Sequence, residues 1–280
     1  MNDKLCLITG ATSGIGKETA KSLAQMDARV ILAARNLEKA GRVVSEINNL
    51  TGKNNVEAMI VDLSSLSDIK RFAAEFSSKF DRLDVLINNA GIWETKRKES
   101  ADGIELTFAV NHLAPFLLTN ELLGLIQKTK ASRIINVASE AHRYGSISFD
   151  DPELKQSYSH MKAYSQSKLA NVLFTKELMR KLHGKDVTVN ALHPGVVATN
   201  LFQNMGKIVS GLGSLFMITP QKGAQTSVYL ASSFEVANTT GEYFKNKKIV
   251  KSSKESNNPV VAAKLWQLSE DYVSRVLSGS

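Results

Sequence analysis

Short apolar runs that alternate with longer amphipathic stretches constrain this chain more than anything else in it. Leu5–Thr9, Arg29–Ala34, Val56–Val61, Leu83–Ile87, Arg133–Val137 and Val187–Leu192 are runs of strand length. Between them lie stretches with helical spacing: about Ile15 to Met26, then Leu37, Ala40, Val44 and Ile47, then Ile69, Phe72, Ala73 and Phe76. A strand covered on both faces reads as a near-continuous apolar run, and strands separated by helices pair in parallel. The pattern therefore predicts an α/β fold. A long helix is expected from near Gly103 past Leu125, with Pro115 as a local irregularity, and another from near Ser159. Ala224–Ala231 reads as helix and Gly241–Phe244 as a last edge strand. No repeat and no Pro/Gly/Ser linker divides the chain, so residues 1–280 read as one domain.

With 43% hydrophobic and 22% charged residues, the chain supports a sizeable core and does not read as disordered. No apolar run reaches the roughly 18 to 20 residues of a membrane-spanning helix. Met1–Lys4 leads into the first strand without signal-peptide features, so a cytoplasmic location is expected. The lone cysteine, Cys6, excludes an intrachain disulfide and alternates with Leu5 and Leu7 as core filler. The formal charge of +8 is partly carried by Lys245, Lys247, Lys248, Lys251 and Lys254. These lysines lack a recognition helix, zinc-ligand spacing or aromatic-basic RNA motif beside them, so they read as a solvated basic loop; neither a nucleic-acid partner nor a metal is expected.

The first strand runs into Thr9-Gly10-Ala11-Thr12-Ser13-Gly14-Ile15-Gly16, which opens a helix. Glycines there permit a tight turn and let the backbone approach a pyrophosphate, whose charge meets the helix N-terminus. The second strand ends Ala33-Ala34-Arg35-Asn36, where an NAD-binding protein would place a carboxylate for the ribose 2′-hydroxyl. Arg35 either pairs with a 2′-phosphate through its planar fork or covers surface; the first reading favours NADP(H). Lys17 would add a second positive charge, and Asp62, beside Leu63, would accept from the adenine amino group.

Two tyrosines have a lysine four residues on, Tyr158 with Lys162 and Tyr164 with Lys168. On a helix this spacing stacks the side chains. A neighbouring ammonium favours phenolate, so the tyrosine pKa is expected to fall from about 10 toward neutrality, as acid-base work on an alcohol or carbonyl requires. Tyr164 is preferred because it heads the long helix among the small residues Ala163, Ser165 and Ser167.

These residues, with Asn88-Asn89-Ala90-Gly91 after the fourth strand, Asn111, Ser139 after the fifth strand and Pro194-Gly195 after the sixth, resemble the short-chain dehydrogenase/reductase family. The resemblance implies a doubly wound, Rossmann-type fold with a mainly parallel seven-stranded sheet. It implies Tyr164 as acid-base, Ser139 as the group orienting the substrate oxygen, Lys168 on the nicotinamide ribose, and Asn111 keeping a water in the proton relay. The cofactor would lie along Gly10, Thr12, Ser13, Gly14, Ile15, Gly16, Arg35, Asp62, Leu63, Asn89, Ala90 and Gly91. The backbone around Val197 and the Thr199 hydroxyl would fix the carboxamide beyond Pro194 and Gly195.

A narrower resemblance, to the retinol dehydrogenase and WW-domain oxidoreductase branch, rests on Asn111 to Thr119, Ala141-His142, Ser167 to Phe174, His193 to Val197, Gly241 to Phe244 and Leu265 to Ser269. It implies reversible reduction of a carbonyl to an alcohol and the family's tendency to form homodimers or homotetramers. Without an anchor-like apolar run before the first strand or a WW module in residues 1–280, the chain is expected to depart from the branch's membrane-anchored and WW-bearing members. Residues 200–218, apolar but broken by Gly206, Gly211 and Gly213, read either as a lid over a lipophilic substrate (retinal, a long-chain aldehyde or a ketosteroid) or as a helical pair packed on the core. Residues 245–280 read as a carboxyl-terminal extension. Two rival functions are an NADP(H)-sensing binding protein, which retention of both Tyr164 and Lys168 argues against, and a carbon-carbon double-bond reductase, distinguished by its product.

Overall fold

The apolar runs form a central sheet in the computed structural model, which describes residues 1–197 and 218–279. Its strands are β1 (Leu5–Thr9), β2 (Arg29–Ala34), β3 (Val56–Ile60), β4 (Val85–Asn88), β5 (Ser132–Val137), β6 (Val187–His193), β7 (Tyr243–Lys245) and β8 (Lys248–Ile249). They lie in the order β3-β2-β1-β4-β5-β6-β7-β8. The first seven are parallel, with Leu7 opposite Ile31 on one side and Leu86 on the other. The expected seven strands are thus joined by an eighth, antiparallel to β7. Its two residues are exposed, and the two-residue turn before it places Asn246 and Lys247 at φ 51° and 62°. Positive φ at both central positions gives the twist that matches hairpin strands.

Helices cover both faces, and strand alternation sorts the core between them. Leu5 and Leu7 face a cluster shared with α3 (Leu66–Lys79), α5 (Ala114–Lys128), α6 (His160–Lys181) and α8 (Pro259–Ser278). Cys6 and Ile8 face the other cluster, with α1 (Gly14–Gln25), α2 (Leu37–Thr51) and α7 (Pro220–Ser232). Helix starts follow their capping chemistry. Asn36 Oδ1 accepts from Lys39 N at 2.8 Å, and Ser65 Oγ from Asp68 N at 3.3 Å. Gly52, at φ 67°, ends α2 in the left-handed conformation that glycine adopts without steric cost.

The single long helix expected from Gly103 is instead broken: α4 (Leu106–Phe108), a π segment (Ala109–Leu113), then α5. Pro115 has no N–H to offer the carbonyl four residues back, that of Asn111, so the α ladder is interrupted there and the turn before the proline widens. The carboxyl-terminal extension is not peripheral. Its helix α8 packs against α6 and α3, with Leu265, Trp266 and Tyr272 buried. The lid candidate, apart from Ile218, and Thr199 lie outside the described residues.

Strand order reverses between β1 and β4, and a crevice therefore opens beyond their carboxyl ends, where doubly wound proteins bind ligands.

Candidate active site

The turn between β1 and α1 forms the floor of that crevice. Gly10 and Gly14 have φ 64° and 54°. A Cβ on Gly10 would lie 2.8 Å from Ala90 Cα, and one on Gly16 would lie 2.5 Å from Gly10 O. Real Cβ atoms do not tolerate such approaches, so glycine is required at both. The loop after β4 is tied to this turn: Asn89 Nδ2 donates to Thr9 O at 2.8 Å, and the Asn89 and Ala90 amides both donate to Thr9 Oγ1 at 3.0 Å. Ser13 begins α1 without a side-chain capping bond, leaving the first-turn amides without a local side-chain acceptor. Backbone donors at a helix N-terminus suit a phosphate.

From this floor a cavity of about 530 Å³ runs toward α6. It is lined by Gly10, Thr12, Ser13, Gly14, Ile15, Gly16, Arg35, Asp62, Leu63, Asn89, Ala90, Gly91, Tyr164, Lys168 and Pro194, so most of the residues singled out in sequence meet in one space. Arg35 is exposed at the end of β2, and Asp62 Oδ1 accepts from Ser64 N and Oγ at 2.9 and 2.7 Å. Lys17 is not brought to the cavity; its ammonium pairs with Glu46 of α2 at 2.6 Å. That partner comes from another helix, and no local spacing signals it.

At the far end, Tyr164 is buried, with 6% of its surface exposed, and its hydroxyl interacts with Ser139, which does not itself line the cavity. Lys168, also buried, donates from Nζ to Val137 O at 3.0 Å and lies 5.7 Å from the Tyr164 ring centre. The expected fall of the tyrosine pKa does not occur here. Burial pushes the Tyr164 phenol up to about 12, opposed only by the Ser139 hydrogen bond, while burial pushes Lys168 down to about 8. The ammonium is committed to a carbonyl rather than to the phenol, so desolvation wins.

Tyr158 is elsewhere: it precedes the helix, and its hydroxyl donates to Glu94 O at 2.8 Å. Asn111 lies behind the cavity, fully buried, and clamps the loop after β4 to α6. Its Oδ1 accepts from Ile92 N at 2.7 Å, and its Nδ2 donates to Ile92 O at 2.9 Å and Ser167 Oγ at 3.0 Å. Gly91 sits between, with room for a Cβ only 3.3 Å from Lys168 Nζ. Gly195 and Val197 do not line the cavity; Val197 bridges to Ile218.

Sequence reasoning missed Trp93. Its indole stacks on the Tyr164 ring, centres 4.5 Å apart and planes 7° apart, and it lines the cavity with Ile92, Leu106, Val110, Val137 and Ala138. Its place two residues after Gly91 was the available signal.

Fold and site together define a doubly wound α/β protein with a nucleotide-sized crevice ending at a buried phenol and amine, with the half-buried Ser139 hydroxyl beside the phenol. The short chain dehydrogenase family profile matches residues 4–208, and the chain belongs to that family. Human retinol dehydrogenase 14 is 45% identical, covering 96% of this chain and 86% of its own. Human retinol dehydrogenase 11 is 42% identical, covering 96% and 85%. Among solved structures, a protein from Mycobacterium paratuberculosis has a TM-score of 0.81 and 34% identity, covering 98% of this chain and 94% of its own. One from Escherichia coli CFT073, in complex with NADPH, has a TM-score of 0.72 and 27% identity, covering 89% and 98%. The chain is an alcohol/carbonyl oxidoreductase of the retinol dehydrogenase-like branch. No helix among the described residues is long and apolar enough to cross a membrane.

Proposed function

We propose that this enzyme uses NADP(H) to interconvert a lipophilic alcohol with its aldehyde or ketone. The observation that carries the reading is one continuous cavity. It begins at the glycine turn and Arg35 and ends at Tyr164 and Lys168 beside Trp93 and aliphatic side chains, with Ser139, next in the chain after the lining residue Ala138, interacting with Tyr164.

The cofactor fits the residues present. The two glycines that admit no Cβ allow backbone contact with a pyrophosphate, the α1 amides face it, and the Arg35 guanidinium matches a 2′-phosphate. Bound there, NADP(H) supplies or accepts the hydride. The protein's part is orientation and a proton. Ser139 Oγ donates to the substrate oxygen and holds it beside the Tyr164 hydroxyl. Tyr164, whose phenol pKa burial raises to about 12, gives its proton to that oxygen in reduction and is left as phenolate; in oxidation the phenolate takes the alcohol proton and the neutral phenol is restored. Lys168 provides the positive charge that offsets the phenolate formed on proton release. Trp93 and the aliphatic wall exclude water and accept an apolar body.

The test is NADPH consumption over aldehydes and ketones of graded length, with product analysis. Oxidation of NADPH by apolar carbonyls, yielding the alcohol, is expected. NADPH binding without turnover on any carbonyl, or a saturated carbonyl as product, would count against the reading.

A pH dependence follows from Lys168. An ammonium is charged below its pKa and neutral above it, and burial sets that pKa at about 8. Carbonyl reduction at saturating NADPH is therefore expected to fall as pH rises through about 8. A kcat profile that stays flat from neutrality to above pH 9 would contradict the assignment.

A further inference from the structure

The short 3-10 turn that follows Ser139, Glu140–Tyr144, packs on α6 and is tied at three of its residues to residues more than a hundred positions downstream. Glu140 accepts from the Tyr243 hydroxyl at 3.1 Å and pairs with Lys245 at 3.4 Å. Arg143 Nη2 donates to Lys251 O at 2.5 Å. Between them His142, fully buried, makes the innermost link. Its Nδ1 lies 2.7 Å from Ser139 O, and its Nε2 lies 3.0 Å from the Ser253 amide.

Those two partners fix the ring's chemistry. A carbonyl only accepts, so Nδ1 carries the proton; a backbone N–H only donates, so Nε2 carries the lone pair. The ring is therefore the neutral Nδ1–H tautomer. A second proton would set N–H against N–H at Ser253. Burial and the cations Arg143 and Lys176 also disfavour it and together outweigh the Ser139 carbonyl and Glu140, which act in the other direction. His193 on β6 and the Tyr243 ring on β7, 4.6 Å from the His142 ring, complete the surroundings.

On the other side of this link the chain is anchored. Ser253 O accepts from Ser256 Oγ at 2.7 Å and Asn257 Nδ2 at 2.8 Å, and Lys176 of α6 reaches Asn257 Oδ1 at 2.6 Å. Asn258 then caps α8 through Val260 N at 3.0 Å. A continuous strut thus runs from α8 through Ser253 and His142 to the main chain of Ser139.

We infer that His142 is a positioning residue, through which the carboxyl-terminal segment 243–258 sets the Ser139 hydroxyl against Tyr164. The inference rests on the reading of Ser139 given above. It assigns this segment a part in turnover: it grips the turn that carries the substrate-orienting hydroxyl, whereas the cofactor-binding floor is the turn between β1 and α1. A displaced hydroxyl misplaces the substrate oxygen, and misplacement by about 1 Å costs on the order of 100-fold in rate.

The test begins on the cofactor-free protein. Nitrogen-15 NMR of labelled histidine, with His142 assigned by its loss in His142→Asn, is expected to show the neutral Nδ1–H tautomer at pH 7. His142→Ala is expected to lower kcat about 10- to 100-fold while the NADPH Kd changes by no more than about twofold. His142→Asn, which keeps a donor at the Nδ1 position, is expected to recover part of the loss. An Nε2–H or charged ring in the parent protein would overturn the inference even if the alanine variant failed to fold. So would kcat within about twofold of the parent in His142→Ala, or an equal loss of NADPH affinity. A parent enzyme without turnover on any carbonyl would instead sink the functional reading, and the tautomer would still report on the strut.

Discussion

Tyr164→Phe is expected to lower kcat for carbonyl reduction by about 10²- to 10⁴-fold, the span that a positioned acid-base group contributes. The aromatic ring that stacks on Trp93 is retained, so the cavity wall and the packing of α6 survive the change. Only the hydroxyl and its interaction with Ser139 are removed, at a cost or gain in stability of about 1 kcal/mol. NADPH affinity, measured by fluorescence titration, is expected to stay close to that of the parent. Tyr158→Phe is the control. It breaks the bond to the main chain of Glu94, but Tyr158 itself does not line the cavity, and the change is expected to leave kcat near the parent value. If the two variants exchanged behaviour, the acid-base group would be the other tyrosine.

Arg35→Asp is expected to reverse the choice of cofactor. Charge-assisted bonds to a 2′-phosphate are worth about 1.5 to 3 kcal/mol, and each 1.4 kcal/mol is tenfold. Losing them lowers kcat/KM for NADPH by about 10- to 100-fold, and the new carboxylate repels the phosphate further. The same carboxylate accepts from the free 2′-hydroxyl of NADH, so kcat/KM for NADH is expected to rise. Arg35 is exposed, so the fold is not at stake. An unchanged NADPH-to-NADH ratio in steady-state kinetics would show that Arg35 only covers surface. The relocation of Lys17 to Glu46 sharpens this test, because it leaves Arg35 as the cation lining that end of the cavity.

The parts of the fold legible in sequence were those with a local cause. Buried parallel strands must be apolar throughout, so Leu5–Thr9 or Arg133–Val137 announced themselves. The glycine turn is dictated by how closely Gly10 and Gly16 approach Ala90 and the turn's own backbone. The strand β8 was not legible: Lys248 and Ile249 carry no alternation, and the strand exists because of a turn at Asn246 and Lys247. Pro115 marks the irregularity in sequence, but its effect falls on the turn before it, Ala109–Leu113.

In the site, residue types and order pointed to Tyr164, Lys168 and Ser139, but not to their electrostatics. Sequence spacing suggested an ammonium beside a phenol. The distance of 5.7 Å and the bond to Val137 O arise from tertiary packing, as does the burial that raises rather than lowers the phenol pKa. The stack of Trp93 on Tyr164 and the link from Ser253 to His142 join residues 71 and 111 positions apart and leave no periodic trace.

The most direct measurement is a crystal structure with NADP⁺ bound. The account predicts the nicotinamide beside the Tyr164 hydroxyl, its ribose within reach of Lys168, and the 2′-phosphate on Arg35. A nicotinamide turned away from Tyr164, or a dinucleotide seated outside the crevice at the β1–β4 reversal, would contradict it.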